Sequence, residues 1–117
     1  MARFARRARM RSAGDFAGAF ERGKRLHEGP FTAVVAVGAE RTLRLGLAVP
    51  RRAMPLATQR NRVKRQIRES FRGIAEMLPP LHIVILARTA AGKSSNVALR
   101  EALSRLWKRI AHECRTS

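Results

Sequence analysis

The chain has 117 residues and a hydrophobic fraction of 45%, which suits one folded domain and excludes both two separate cores and a disordered basic tail. It carries 25 Lys and Arg against 8 acidic residues, a formal net charge of +17, which predicts a polyanionic partner but does not distinguish RNA, DNA and anionic lipid. A single Cys excludes an internal disulfide and a multi-cysteine zinc module, and no apolar run approaches the roughly 18 residues of a membrane span, so we expect a soluble protein of the reducing cytoplasm.

The N-terminal part of the chain predicts a basic arm followed by a helix. Residues 1–11 are rich in Arg and contain no acid, so we expect a flexible arm that contacts phosphate, with an organellar transit segment as the alternative. Ser12 offers a capping oxygen for a helix over residues 13–22. Phe16 and Phe20 stand at i and i+4 in that helix, so both rings project from the same side.

Three apolar segments predict strands. Residues 31–37 form a nearly continuous apolar run, and residues 43–49 alternate Leu and Val with small or charged side chains. Because residues 38–42 between them have the length of a hairpin connection, we expect these two strands to be antiparallel neighbours. Residues 82–87 are rich in β-branched side chains and predict the third strand.

Two longer segments have helical periodicity. The first covers residues 56–74 and is stopped by Pro79 and Pro80. The second begins after capping residues at 94–96, and it carries an apolar stripe that we expect to be core, made of Leu99, Leu103, Leu106, Trp107 and Ile110. The predicted order is therefore helix, strand, strand, helix, strand, helix. One sheet with helices packed over it, a two-layer α/β fold, is the economical architecture.

The helix over residues 56–74 separates apolar from basic side chains. At about 100° per residue, one side forms an apolar seam of Val63, Ile67, Phe71 and Ile74. Beside it lies a basic sector of Asn61, Lys64, Arg65, Arg68 and Arg72, with Arg62 further round and Arg60 nearer the seam. Glu69 is the only acid in this stretch, so the cations are not arranged as i,i+4 ion pairs, and Arg grips phosphate in a bidentate way that Lys cannot. We therefore expect a face that lies along nucleic acid, with a solvated charged surface as the alternative.

This helix and the strand before it also carry a recognisable pattern. Residues 45–52 read Leu-Gly-Leu-Ala-Val-Pro-Arg-Arg, residues 60–65 read Arg-Asn-Arg-Val-Lys-Arg, and residues 67–69 read Ile-Arg-Glu. Further matching segments lie at residues 15–20, 86–88 and 103–107. In order and spacing, these pieces resemble the bacterial ribonuclease P protein component family from about residue 12 to residue 110.

The resemblance implies a fold and a domain organisation. It implies an α/β fold of the ribosomal-protein type, with a single mixed sheet and an unusual left-handed crossover between parallel strands, whereas right-handed crossovers prevail in general. Residues 12–113 would then form the one domain, between the basic arm of residues 1–11 and a C-terminal tail of residues 114–117.

The resemblance also implies a function. The chain would be the RNA-binding subunit of ribonuclease P and would assist the catalytic RNA in removing the 5′ leader from precursor tRNA. The side chains implied to face ribonuclease P RNA are Arg60, Asn61, Arg62, Lys64, Arg65 and Arg68, to which the basic sector adds Arg72. A cleft between the first helix and the sheet would receive the single-stranded leader, and its candidate residues are Phe16, Phe20, Phe31, Arg51, Arg52 and Arg88. Aromatic faces in a basic groove suit single-stranded nucleic acid, and plain core packing is the alternative for each Phe.

The sequence shows no catalytic constellation of its own. Its acids form no cluster, and its three His residues share no metal-ligand spacing. In the family the RNA supplies the active site with magnesium, so we expect no firmly bound cofactor and no catalytic residue here, and neither a DNA nor a membrane partner. Residues 87–94 resemble a phosphate loop but lack its first Gly. The competing interpretations are a structural RNA- or DNA-binding module without enzymatic activity in its complex and a cationic membrane-surface protein.

Overall fold

Four strands form a sheet in the part of the chain that the structure describes. The computed structural model describes residues 23–37 and 42–114. Its strands are β1 (Lys24–Glu28), β2 (Phe31–Val37), β3 (Arg44–Ala48) and β4 (Leu81–Ala87). They lie in the order β1-β2-β4-β3, with β2 antiparallel to both of its neighbours and β3 parallel to β4. The result is the single mixed sheet that was expected.

Three helices accompany the sheet within the described residues. They are α1 (Ala57–Ile74), α2 (Thr89–Gly92) and α3 (Asn96–Glu113), and a 3-10 turn over Ala75–Met77 extends α1. The bounds of α1 and β4 differ from the sequence-based bounds by one residue. The predicted cap of α3 is confirmed, because the Ser95 hydroxyl accepts a hydrogen bond from the backbone N–H of Ala98 at 3.1 Å.

The predicted hairpin is wrong. β4 lies between β2 and β3, and the loop of hairpin length joins two strands that are not neighbours. The physical reason is burial: Val34 of β2 and Val84 of β4 face each other and are both fully buried, and strands that are apolar on both faces take the central positions of a sheet. The length of a loop limits the distance between the two strands that it joins, but it does not determine whether those strands pair.

Two short elements were not predicted. In β1 only Leu26 is buried among charged and polar neighbours, because β1 is an edge strand and edge strands carry charge. Gly92, in the segment that resembles a phosphate loop, ends the helical turn α2. The connection β3-α1-β4 joins parallel neighbours, as the resemblance implied; its handedness stays a prediction. The arm at 1–11 and the helix expected at 13–22 lie outside the described residues, so the domain bounds stay predictions too.

The core lies between the sheet and the helices α1 and α3. Residues of the expected stripe on α3 are all buried, and Phe31 and Ile85 meet them from the sheet. Phe71 of α1 packs edge-to-face on Trp107 of α3 with ring centroids 5.6 Å apart. Contacts of this kind hold α1 in one orientation, which fixes the direction in which its basic side points.

Candidate nucleic-acid interface

The helix α1 is anchored by the seam that its sequence predicted. Val63, Ile67 and Phe71 are at most 1% exposed, and Gln66 beside them is 6% exposed. Ile74, at the end of the seam, is half-buried. Because this apolar side is committed to the core, the basic side chains of the helix are presented outward from a rigid element.

The outward side of α1 carries five of the predicted RNA-binding residues. Asn61, Arg65 and Arg72 are exposed, and Lys64 and Arg68 are half-buried. Arg65 does form one i,i+4 ion pair, with Nε 3.7 Å from Oε1 of Glu69, which corrects the expectation that this stretch has none. The Arg65 side chain is 76% exposed, so the pair is weak and a phosphate can compete for it. A row of cations on one side of a fixed helix can therefore track a phosphate backbone.

The two remaining arginines of the pattern turn toward the protein. Arg60 donates from one terminal nitrogen to the carbonyl oxygens of Met54 and Pro55, both at 2.8 Å. Arg62 donates to the carbonyl oxygens of Gly92 at 3.0 Å and Ser94 at 2.9 Å, and to Oδ1 of Asn96 at 2.8 Å. No sequence pattern indicated these acceptors, since those of Arg62 lie about thirty positions along the chain. The direct RNA contacts expected of Arg60 and Arg62 stay predictions.

A pocket of about 640 Å³ lies beside this region, where the parallel strands β3 and β4 end. Pro50, Arg52 and Ala53, which follow β3, form the first wall. The second wall consists of the last two residues of β4, residues 88–90 and Ser94, and Gly29 and Pro30 of the β1–β2 turn complete the lining. The crevice outside the carboxyl ends of parallel strands is a common place for ligands. The lining is mostly apolar, with two guanidinium groups, so the pocket can accept a planar apolar ring and a nearby phosphate.

The pocket brings together two of the residues predicted for the leader cleft, Arg52 and Arg88. The Arg88 guanidinium donates to the carbonyl oxygen of Gly29, and its backbone N–H donates to Pro30 at 3.0 Å. Arg51 is exposed beside Arg52. Phe31 pairs with Ala87 at the end of β4 and is fully buried, so its ring is part of the core, and a stacking role for it stays a prediction. Phe16 and Phe20 lie outside the described residues.

Cations near β1 are arranged differently from those of α1. Arg105 and Arg109 of α3 both pair with Glu28, and Arg109 also donates to Oε2 of Glu113 at 2.9 Å. The hydrogen bond from Arg109 lowers the pKa of the Glu113 carboxyl, and the same bond raises the pKa of Arg109. Acids therefore balance several cations on this side, whereas Glu69 is the one acid within α1.

Neither a metal centre nor a membrane-spanning helix occurs in the described part of the chain. Within residues 23–37 and 42–114, no group of three or more His, Cys, Asp or Glu side chains is placed to hold a metal ion. None of the helices over the same residues is long and apolar enough to cross a membrane.

Comparison with known sequences gives a consistent result. A sequence model of the family described as Ribonuclease P matches residues 4–111 of this chain. The ribonuclease P protein component of Nitrosococcus oceani is 33% identical over 114 residues, which cover 97% of this chain and 96% of that protein. The protein component of Aliivibrio fischeri is 33% identical over 112 residues, which cover 96% of each.

Solved structures agree with the sequence comparisons. The RNase P protein from Thermotoga maritima superposes with a TM-score of 0.76 at 32% identity, covering 87% of this chain and 96% of that one. The RNase P protein of Staphylococcus aureus gives a TM-score of 0.82 and covers 90% of this chain and 95% of its own. Its identity of 24% supports the fold alone.

Proposed function

Because this chain belongs to the Ribonuclease P protein family, over residues 4–111, we propose that it binds ribonuclease P RNA and the 5′ leader of precursor tRNA, and so assists the RNA in cleaving that leader. Membership makes the chain a component of an endoribonuclease complex that processes tRNA. The observation that carries the proposal is the anchored helix α1, whose apolar seam is buried and whose cations face outward.

The RNA subunit would dock on the outward side of α1. Lys64, Arg65 and Arg72 supply positive charge there, Arg68 adds its guanidinium, and Asn61 adds an amide that can both donate and accept. Phosphate contacts of this kind position a protein on a nucleic acid and release counterions, so affinity falls steeply with salt. The charge of +17 raises the rate of encounter with the RNA.

The leader would occupy the pocket at the ends of β3 and β4. A nucleobase can pack on the apolar lining between Pro30 and Pro50, while Arg52 and Arg88 approach the adjoining phosphates. Arg51 would extend this basic edge. The resemblance adds Phe16, Phe20 and Phe31 as leader contacts, and they remain part of the proposal on that ground alone.

Catalysis would reside in the RNA, with magnesium as the metal of the holoenzyme. Phosphate oxygens attract a hard divalent cation, whereas the guanidinium and ammonium groups that dominate the outward side of α1 repel it. The protein's contribution would be to bind substrate and to reduce the repulsion between RNA strands. The site of action proposed for this complex is the cytoplasm.

Reconstitution tests this function directly. The purified chain is mixed with a bacterial ribonuclease P RNA at low magnesium, and 5′ cleavage of precursor tRNA is followed with and without protein. We expect stimulation that depends on the presence of a leader. Tight, salt-sensitive RNA binding without stimulation would instead identify a structural RNA-binding protein, and equal binding to duplex DNA would argue against an RNA-specific partner.

A further inference from the structure

Arg60 and Arg62 stand two residues apart on α1, and each holds a different part of the protein. Arg60 reaches back to the carbonyl oxygens of Met54 and Pro55, just before the helix. Arg62 reaches forward to the junction of α2 and α3, where Gly92 at the end of α2, Ser94 in the linker and Asn96 at the start of α3 supply its acceptors. Both arginines are half-buried.

The two segments held in this way are continuous with the two walls of the pocket. Met54 follows Arg52 and Ala53, which form the first wall, and Ser94 is itself a lining residue of the second. The backbone N–H groups of Ala53 and Met54 both donate to the carbonyl of Pro50 at 3.1 Å, so the first wall is one compact turn. A shift of either segment relative to α1 would therefore change the width of the pocket.

Packing makes the second attachment tight. A Cβ placed on Gly92 would lie 2.8 Å from Cγ of Met54 and 3.2 Å from its Sδ, and Met54 is 1% exposed. The Met54 side chain, which directly follows the first wall, thus packs against the backbone of Gly92, beside the Arg62 hydrogen bonds. Gly92 allows a close approach that a side chain would prevent.

The chemistry of these arginines favours the internal role over a phosphate contact. A guanidinium has five N–H donors in a planar fork, and Arg62 uses three of them on protein oxygens. Turning the group to a phosphate would leave two backbone carbonyls and an amide oxygen without this donor, and that cost opposes the benefit of binding the phosphate. Arg65, whose side chain is 76% exposed in its ion pair with Glu69, loses less on turning to a phosphate.

We infer that Arg60 and Arg62 are positioning residues that attach the two walls of the leader pocket to α1, so that docking α1 on the catalytic RNA also sets where the leader is held. This inference rests on the proposed function. It divides the arginines of one helix into two groups, with Arg65 and Arg72 contacting RNA and Arg60 and Arg62 shaping the pocket.

The test uses lysine substitutions in the reconstituted holoenzyme. Arg62→Lys keeps the charge but replaces a planar fork by a compact ammonium that cannot serve three separated acceptors. Two quantities are measured: the affinity of the protein for ribonuclease P RNA with its salt dependence, and the ratio of holoenzyme affinities for precursor tRNA with a long leader and for mature tRNA. We expect Arg62→Lys to lower this leader ratio about tenfold, the equivalent of one to two hydrogen bonds, and to leave the salt dependence unchanged.

Two further variants test whether misfolding, rather than a change in the pocket, explains a lower leader ratio. Arg60→Lys should lower the leader ratio through the first wall, and Gly92→Ala should lower it through the second without changing any charge. Thermal unfolding of each variant identifies any that fails to fold. Lys108→Arg, an exposed exchange on α3, is the control that should alter neither quantity.

The outcomes separate this inference from the proposed function. If the wild-type protein stimulates cleavage but Arg62→Lys, Arg60→Lys and Gly92→Ala all keep the wild-type leader ratio, the positioning role is wrong and the function stands. A leader ratio that is unchanged in Arg62→Ala, together with a salt dependence reduced by about one counterion, would make Arg62 an RNA contact. If the wild type gives no leader-dependent stimulation, both ideas fail.

Discussion

The indole N–H of Trp107 in α3 donates a hydrogen bond to the hydroxyl of Ser70 in α1 at 2.9 Å, and that hydroxyl donates in turn to the carbonyl of Ile67 at 3.0 Å. Trp107 is 1% exposed, so its N–H has no access to solvent. The hydrogen bond therefore joins the helix that carries the candidate RNA-binding face to the C-terminal helix beneath it.

Ser70→Ala should destabilise the protein by about 1–2 kcal/mol, because it leaves the buried N–H of Trp107 without its acceptor. Urea denaturation followed by tryptophan fluorescence measures the change, and the same probe reports on the environment of the indole. Ser104→Ala, at an exposed position of α3, should stay within about 0.5 kcal/mol of wild type. Equal stability of the two variants would show that the hydrogen bond contributes nothing measurable.

The outward cations of α1 should act on RNA binding without acting on stability. Arg65→Ala combined with Arg72→Ala removes two exposed guanidinium groups, so we expect weaker binding to ribonuclease P RNA and a logarithmic salt slope reduced by about two. The measurement is a titration at several salt concentrations. The variant Lys108→Ala, which removes a charge from α3, is the control; an equal effect there would mean that net charge alone drives binding.

The residues of α1 show which features of the site can be predicted from the sequence. Its buried Val63, Ile67 and Phe71 and its outward cations follow from a period of 3.6 residues, and its bounds follow to within one residue from that period and the prolines after it. All of this is local information. The acceptors of Arg62 lie on other elements. A helical wheel shows the direction in which the side chain points, but it does not show which residues of the folded protein lie in that direction. The pair of Arg65 with Glu69 follows the i,i+4 rule and is therefore local information as well.

Strand pairing was harder to predict for a similar reason. The run over residues 31–37 indicates a strand, but its partners β1 and β4 are chosen by burial on both faces of the sheet. β1 has no apolar alternation to detect, with Leu26 as its one buried side chain. The pocket also depends on that pairing, since Gly29 and Pro30 reach its edge through the β1–β2 turn.

Arg52→Ala and Arg88→Ala should reduce binding of the leader rather than assembly with the RNA. Each removes a guanidinium from the pocket, so the affinity of the holoenzyme for precursor tRNA should fall several-fold while its affinity for mature tRNA stays unchanged. Competition between precursors with and without leaders measures the difference. If both substrates weaken equally, the two arginines do not act on the leader.

Acid should selectively remove the contribution of Glu113 to stability. The hydrogen bond from Arg109 lowers the pKa of this carboxyl below its ordinary value of 4.5, so the stabilisation is present above the unfolded-state pKa and is lost as pH falls through the folded-state pKa. Glu113→Gln should thus be less stable than wild type at neutral pH by a small amount, as befits a partly exposed pair. The difference between the two proteins should disappear in acid. Glu101→Gln, an exposed acid of α3 that lies outside the ion pairs of Glu28 and Glu113, is the control for removing a negative charge from this helix.

Gly29 and Gly73 give opposite predictions for the same substitution. Gly29 has φ +55°, and a Cβ there would lie 3.2 Å from Cβ of Ala102, so Gly29→Ala should cost about 1–2 kcal/mol in backbone conformation. Gly73 lies in α1 with nothing within 4 Å of the added carbon, so Gly73→Ala should stabilise the helix by up to about 1 kcal/mol. Thermal unfolding measures both changes in stability.

Gly29 also lies at the edge of the pocket and accepts a hydrogen bond from Arg88, so Gly29→Ala should weaken leader binding as well, whereas Gly73→Ala should not. A destabilised Gly29→Ala protein with normal leader binding would show that the pocket tolerates movement of the β1–β2 turn.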